Sequence, residues 1–396
     1  MCELNECMIR EDLHWRQKSR IQWYTSSNLN TRYFHLSTII RRRKNAIDLI
    51  KDDFGSWLSG HQQVSDCFVN FHKNHFTSQH PHPCHHIDLS DLIPHSISPE
   101  ENESLCAIPS DDEIKSVAFS FASSKSPSPD GMLAIFYKSN WVTVGKEVIA
   151  MVQSFFASGL ILKEMNHTFI TLIPKTPNPS SVHQFRPISL CNLSYKIISK
   201  TLANRLKILL PKLITPWQAA SIHGRNIQDN SIIAHEIFHT LHQKCTSSSG
   251  LAALNIDLEK AFDKVEWSFL LSIFKQFGFS EKWIQMINQC ISTPSYSILI
   301  NGSPEGFITS SQGIHQGDLI SPVLFILVTD VLSRLFLQKE TDGSLQGIKI
   351  ARNCSLISHL MFVDDLVVFS RANQEDLQAI QYAYLNFRPD LGYLSI

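Results

Sequence analysis

Apolar and polar positions along the chain follow two rhythms. Apolar residues three or four apart mark amphipathic helices, and short unbroken apolar runs rich in β-branched and aromatic residues mark strands. Ser110-Asp111-Asp112-Glu113 reads as a capping box, after which Ile114, Val117, Ala118 and Phe121 share one helical face. Turn residues from Lys125 to Gly131 stop that helix. A second helix is expected over Trp141–Ser158, with Val144, Val148, Met151, Val152 and Phe155 inward and Gly159 as C-cap. From Thr168 the texture changes. Strands are expected at 168–175, 184–189, 251–258, 295–302 and 347–350. Helices are expected at 195–210, ended by Pro211 and Pro216, then at 229–242, 259–277, 320–338 and 375–387.

The stretch that organises this pattern lies near the C-terminal end. Asp364-Asp365 stands between the apolar runs Leu360-Met361-Phe362-Val363 and Leu366-Val367-Val368-Phe369. The flanks bury themselves as strands and leave the acidic pair at a hairpin tip. Adjacent carboxylates repel unless a cation lies between them, and hard oxygen ligands suit Mg²⁺. A bland acidic surface turn has the same pattern, so the reading depends on a third carboxylate and on phosphate-handling groups elsewhere. Asp257 is that third carboxylate, at the end of the apolar run Leu251 to Leu258, expected as a buried strand. A carboxylate ending a core strand is costly unless paired or metal-bound.

Lys175 and Arg186 fall near the ends of two neighbouring strands. They read either as a clamp on a triphosphate or as exposed strand-end cations. Phe262, five residues after Asp257, reads as the floor of a sugar pocket or as core. Gln316-Gly317 precedes a helix, where glycine permits close backbone approach to a ligand and glutamine offers both donor and acceptor. Lys196, Lys200, Arg205 and Lys207 on the 195–210 helix are placed to reach a phosphate or only water.

Composition narrows the field. The 396 residues are 43% apolar with a formal net charge of −1, so any nucleic-acid contact must come from local patches. One such patch is the first 51 residues, where Arg16, Lys18, Arg20, Arg32 and Arg41 to Lys44 mix with Trp15, Trp23, Tyr24, Tyr33, Phe34 and His35. It reads equally as phosphate and base contacts or as a solvated helix. Nine cysteines without a Cys-x-x-Cys pair suggest reduced thiols and an intracellular protein, in nucleus or cytoplasm. The most apolar stretch, Val323 to Val328, is too short to span a bilayer, and no membrane partner is expected. The histidines between Ser78 and His86 match no zinc spacing.

Taken together, four ordered segments are specific: Phe185-Arg186-Pro187-Ile188-Ser189, Asn255 to Trp267, Gln316 to Pro322, and Phe362-Val363-Asp364-Asp365. In that order they resemble the reverse transcriptase of non-LTR retrotransposons, in particular plant LINE-type elements. The resemblance begins near Trp15-Arg16-Gln17-Lys18 and is strongest from Thr168 to Phe369. It implies an α+β fold, a right-hand polymerase with an antiparallel palm sheet, packed helices and fingers, preceded by a mainly helical region. Expected divisions are a basic helical region at 1–75, a loop-rich linker at 76–105, a helical segment at 106–167, and fingers and palm from 168 to 396.

By the same resemblance, Asp257, Asp364 and Asp365 are the catalytic carboxylates. With the carbonyl of Leu258 they hold two Mg²⁺ ions, for which Mn²⁺ can substitute. Lys175 and Arg186 contact the incoming triphosphate, Phe262 is the steric gate against a ribose 2′-hydroxyl, and Gln316 and Gly317 pack on nucleotide and template. RNA template, DNA primer and dNTPs are the implied partners.

Departures from the family pattern are Ser128 for glycine, Gln312 and His315 for basic residues, Leu319-Ile320 for Pro-Leu, Val363 for alanine, and Ser27-Asn28-Leu29-Asn30-Thr31 for Gly-Asp-Lys-Asn-Thr. The family's endonuclease and thumb have no counterpart here, so a retrotransposon fragment is expected. The alternative reading is a silent relic that keeps the fold and binds nucleic acid. An intron-maturase-like protein would need a C-terminal maturation domain.

Overall fold

The computed structural model describes residues 2–19, 31–78, 87–123, 125–243, 250–258, 261–351 and 354–387. Expectations for Arg20, Trp23, Tyr24, 27–30, 79–86, Glu259, Lys260 and 388–396, and for the side chain of Arg16, lie outside the described residues.

Helices α1 (Cys2–Ser19) and α2 (Thr31–Lys44) open the chain. A short antiparallel hairpin, β1 (Leu49–Lys51) and β2 (Trp57–Ser59), leads into α3 (His61–His75). Next come α4 (Pro99–Cys106), α5 (Asp111–Phe119), α6 (Ala134–Ser139) and α7 (Trp141–Ser158). The expected loop at 76–105 therefore ends in a helix. Ser98 and Glu101 close a complete capping box there, and Pro99 follows at the first helical position. Gly159 caps α7 in the left-handed region, as its position suggests.

Strands β3 (His167–Pro174) and β4 (Phe185–Cys191) precede α8 (Leu193–Leu213) and α9 (Ile227–Gln243). Pro211 does not end α8. It lies in the last turn, where its missing N–H forfeits one bond, and Ile214 N still donates to Leu210 O. β5 (Leu251–Asp257) is followed by α10 (Ala261–Lys264) and α11 (Trp267–Phe277), two helices where one is expected. The break falls at Val265-Glu266, where Val265 O accepts from Gly313 N and Glu266 takes up Ser78. α12 (Glu281–Ser292), β6 (Ser295–Ile300), β7 (Ser303–Thr309), α13 (Ser321–Thr341), β8 (His359–Phe362), β9 (Asp365–Arg371) and α14 (Gln374–Phe387) complete the order. The strand expected at 347–350 is only a single bridge, Ile348 to Ile357.

Two sheets frame the molecule. One has the order β4-β3-β6-β7, with β3 and β6 parallel, and the other is the antiparallel β5-β9-β8. α13 is the axis of the largest core, buried without interruption from Val323 to Ser333. Among the described residues it is the helix long and apolar enough to cross a membrane, and 78% of that stretch is buried inside the protein. A second core joins α3 to the four-stranded sheet through Phe68, Phe185, Tyr296 and Ile298. A third sets α9 under the other sheet through Ile237, Leu360 and Phe369. β5 is half-buried rather than buried, with Asn255 and Asp257 exposed, because it forms a sheet edge.

Candidate active site

The acidic pair occupies the expected hairpin. Phe362 pairs with Asp365, which leaves Val363 and Asp364 as the two turn residues. On the other side of β9, Asp257 is in register with Asp365. Directly opposed residues in an antiparallel pair have Cβ atoms about 4.5–5.5 Å apart. All three carboxylates therefore gather at one end of the three-stranded sheet. Burial raises the pKa of Asp364 above the ordinary aspartate range. Asp365 and Asp257 push it the same way, and Arg186 pulls it back.

These groups open onto a cleft of about 540 Å³, within the size range of small-molecule sites. Lys175, Arg186, Asp257, Leu258, Phe262, Gln316, Gly317 and Asp364 all line it; Asp365 lies beside it across the β5–β9 pair. Lys175 and Arg186 are brought together by the β3–β4 pairing, with Ile173 opposite Arg186 and Lys175 N donating to Gln184 O at 2.8 Å. Phe262 sits between the cleft and the core. It faces the cleft and stacks on Phe325 at 4.2 Å with an interplanar angle of 19°.

Gly317 serves a close approach to the protein's own backbone. Its φ is 116°, and a Cβ there would lie 2.9 Å from Ser189 O. That contact accompanies the bond from Ser189 N to Gln316 O, which ties the loop to β4. The Gln316 amide points to Asp263, with Nε2 3.5 Å from Oδ1. The two positions where the family carries basic residues are both buried. Gln312 donates to His75 O at 2.8 Å, and His315 Nε2 meets the Tyr296 hydroxyl at 2.5 Å. Burial lowers the His315 pKa to about 4.

One wall escapes the sequence reading. α3 brings Phe71, His72 and His75 to the cleft, joined by His183 from the β3–β4 loop. Phe71 stacks on His75 and meets His183 edge-on. His75 Nε2 lies 3.3 Å from Asp263 Oδ2. The available signal is a stripe at Phe68, Phe71, His72, His75 and Phe76, spaced as one helix face. The phosphate reading of Arg205 is corrected. Its guanidinium pairs with both oxygens of Glu113, at 3.0 and 2.9 Å, and donates to Leu105 O. Lys200 donates to Ser120 Oγ at 2.6 Å.

The donor set fits a divalent cation that shares its coordination with substrate. Among the described residues no three His, Cys, Asp or Glu side chains converge tightly enough to enclose an ion by themselves. Mg²⁺ in phosphoryl-transfer sites takes one or two carboxylates and completes its shell with phosphate oxygens and water. The raised Asp364 and the in-register pair Asp257/Asp365 supply that kind of partial shell.

Comparison with known proteins agrees with this geometry. Residues 173–393, more than half of the chain, match the family model described as reverse transcriptase (RNA-dependent DNA polymerase). The Transposon TX1 uncharacterized 149 kDa protein of Xenopus laevis is 24% identical over 381 residues, 95% of this chain and 29% of that protein. The Pol polyprotein from the type-1 retrotransposable element R2 of Nasonia vitripennis is 27% identical over 271 residues, 68% of this chain and 24% of that protein. The uncharacterized mitochondrial protein AtMg01250 of Arabidopsis thaliana is 49% identical over 67 residues, 17% of this chain and 55% of that protein. The chain thus spans less than a third of the length of the transposon relatives. With its acidic hairpin, its cationic strand ends and this match, the chain belongs to the reverse transcriptase family, in the branch carried by non-LTR retrotransposons.

Proposed function

We propose that this chain is the palm and fingers of an RNA-directed DNA polymerase, extending a DNA primer on an RNA template with dNTPs. The observation that carries this reading is the meeting of Asp257, Asp364, Lys175 and Arg186 on one cleft, with Asp365 in register beside Asp257. In this reading β5-β9-β8 is the palm and β4-β3-β6-β7 belongs to the fingers. The helical stretch before residue 168 lies N-terminal to both. The plant affiliation rests on the motif resemblance and on the short Arabidopsis match.

Asp257, Asp364 and the carbonyl of Leu258 would hold two Mg²⁺ ions, or Mn²⁺ in their place, with Asp365 completing the acidic cluster. When bound, the cations polarise the primer hydroxyl and the α-phosphate and offset charge on the departing pyrophosphate. The chain's own residues do the rest. Lys175 and Arg186 neutralise the triphosphate from the strand ends and fix its direction. Phe262, backed by Phe325, presents a ring that cannot yield to a 2′-hydroxyl. Gln316 and Gly317 form the floor under nucleotide and template. Catalysis in such a site is mostly positioning and charge neutralisation.

Primer extension on poly(rA)·oligo(dT) with Mg²⁺ and dTTP tests this, beside an Asp364→Ala/Asp365→Ala control. Extension by the unmodified chain that disappears in the control is the expected result. Extension that survives in the control would reject the assigned site. A chain that binds the duplex equally with and without the aspartates, and extends neither, would be a silent relic.

A further inference from the structure

Val363 holds an unusual backbone. Its φ is +59°, and among the described residues only Ser221 and Asn301 share the left-handed region without being glycine. A β-branched side chain there is a conformational outlier, and such outliers persist only where surrounding structure holds them. The position matters because Val363 is the first of the two turn residues and Asp364 is the second. Hairpins of this length in which the first central residue has positive φ favour glycine at that place.

The surrounding structure is one buried amide. Gln218 is fully buried. Its Oε1 accepts from Val363 N at 3.2 Å, and its Nε2 lies 3.5 Å from Val363 O. One side chain therefore spans both backbone groups of the strained residue. Oε1 also accepts from Ala220 N at 3.1 Å, which fixes the amide's orientation.

The base of this side chain is itself anchored. Residues 217–219 run beside β8: Met361 N donates to Trp217 O at 3.0 Å, and Ala219 N to Met361 O at 3.2 Å. Arg225 braces the same segment from below, donating to the carbonyls of Ile214, Thr215 and Gln218. Gln218 does not line the cleft, so it has no direct route to a ligand.

We propose that Gln218 is a positioning residue for the acidic turn: its amide holds Val363 in the left-handed region and so aims Asp364 at the cleft beside Asp257. That Asp364 receives a divalent cation rests on the function proposed above; the brace on Val363 does not. The segment 214–225 is then a bracket that carries one working group forward to the turn.

The test compares the full chain with Gln218→Leu, Val363→Gly, the double variant and Asp364→Ala. Two readouts are hydrogen exchange by mass spectrometry on overlapping peptides across 360–366, and Mn²⁺ affinity by electron paramagnetic resonance. Gln218→Leu should speed exchange at the Val363 amide about tenfold and weaken Mn²⁺ about tenfold, the scale of one lost net hydrogen bond. Glycine occupies the left-handed region without penalty, so in the Val363→Gly background the same substitution should weaken Mn²⁺ less than about threefold.

Unchanged Val363 protection in Gln218→Leu would overturn the proposal. So would equal losses of affinity in the valine and glycine backgrounds, which mark a general core role. If Gln218→Leu does not fold, Gln218→Asn, one methylene shorter, replaces it with the same expectations. Failure of both to fold, unrelieved by Val363→Gly, also overturns it. Asp364→Ala should lose Mn²⁺ with Val363 exchange unchanged. If the unmodified chain binds no Mn²⁺, the metal reading of the site fails, and the exchange measurement still decides the brace.

Discussion

Asp257, the last residue of β5, and Asp365, the first residue of β9, stand directly opposite each other in the antiparallel register. Like charges in that relation destabilise a strand pair by a few tenths of a kcal/mol. Asp257→Asn should therefore raise the urea midpoint of the metal-free protein slightly. The same change should weaken Mn²⁺ at least about tenfold, since a ligand oxygen loses its charge. A variant with unaltered Mn²⁺ affinity would remove Asp257 from the site.

Asp364 titrates above the ordinary aspartate range because burial disfavours its charge and two carboxylates lie near. A cation binds the deprotonated form, so binding must displace protons wherever Asp364 is still protonated. Mn²⁺ titrations at the lower of two pH values should release more protons and show weaker affinity than those at the higher. Calorimetry in buffers of different ionisation enthalpy reads this directly. Equal proton release at both pH values would contradict it.

Phe262 lines the cleft and stacks on Phe325, and one substitution separates the proposed gate from packing. Phe262→Val removes the stack on Phe325 and should cost about 1–3 kcal/mol of unfolding free energy. It should also let ribonucleotides compete with deoxynucleotides in single-nucleotide extension. Lower stability with unchanged sugar discrimination would leave Phe262 as core alone.

Two buried histidines make the fold sensitive to acid. Burial lowers the pKa of His359 to about 3 and that of His315 to about 4, below the ordinary value of about 6.5 for the unfolded chain. His359 is held neutral between the hydroxyls of Ser333 and Ser358. As pH falls below about 6.5 the unfolded chain takes up protons that the folded one refuses, so stability drops, by about 1.4 kcal/mol per pH unit for each histidine. The loss runs from about 6.5 down to the two folded values. Urea midpoints should fall across that window, and His359→Gln should flatten the slope.

Arg205 is structural. Its ion pair with Glu113 is bidentate, and its guanidinium also lies over Phe156 at 4.8 Å. Arg205→Ala should cost about 2 kcal/mol of stability, the scale of hydrogen bonds to a charged group. Nucleic-acid affinity of the folded fraction, measured by fluorescence anisotropy, should not change. A tenfold loss of affinity would restore the phosphate reading.

Legibility differs from residue to residue. The acidic hairpin is plain in the chain because both flanks are short apolar runs, and because Asp257 ends a third. Lys175 and Arg186 are placed by the same strand logic. What cannot be read locally is whatever a distant segment decides. The helix expected across 259–277 breaks at Val265-Glu266, where Gly313, far along the chain, takes the Val265 carbonyl. Arg205 looks free on its helix until Glu113, 92 positions earlier, folds against it. Gln218 sits in a segment with no periodicity, and only the hairpin 145 positions later gives it a purpose.

The wall built by α3 carries a consequence in time. His75 and Asp263 lie 188 positions apart, yet they meet in the cleft, and Gln312 then reaches back to the His75 carbonyl. At about 5–20 residues per second of synthesis, the first partner waits about 10–40 s for the second. During that interval α3 can meet His183 and Phe185, but the His75 imidazole has no Asp263 beside it. The cleft is thus closed only after Asp263 and Gln312 have been made, and a chain trimmed to the family match at residue 173 would lack the α3 side of it.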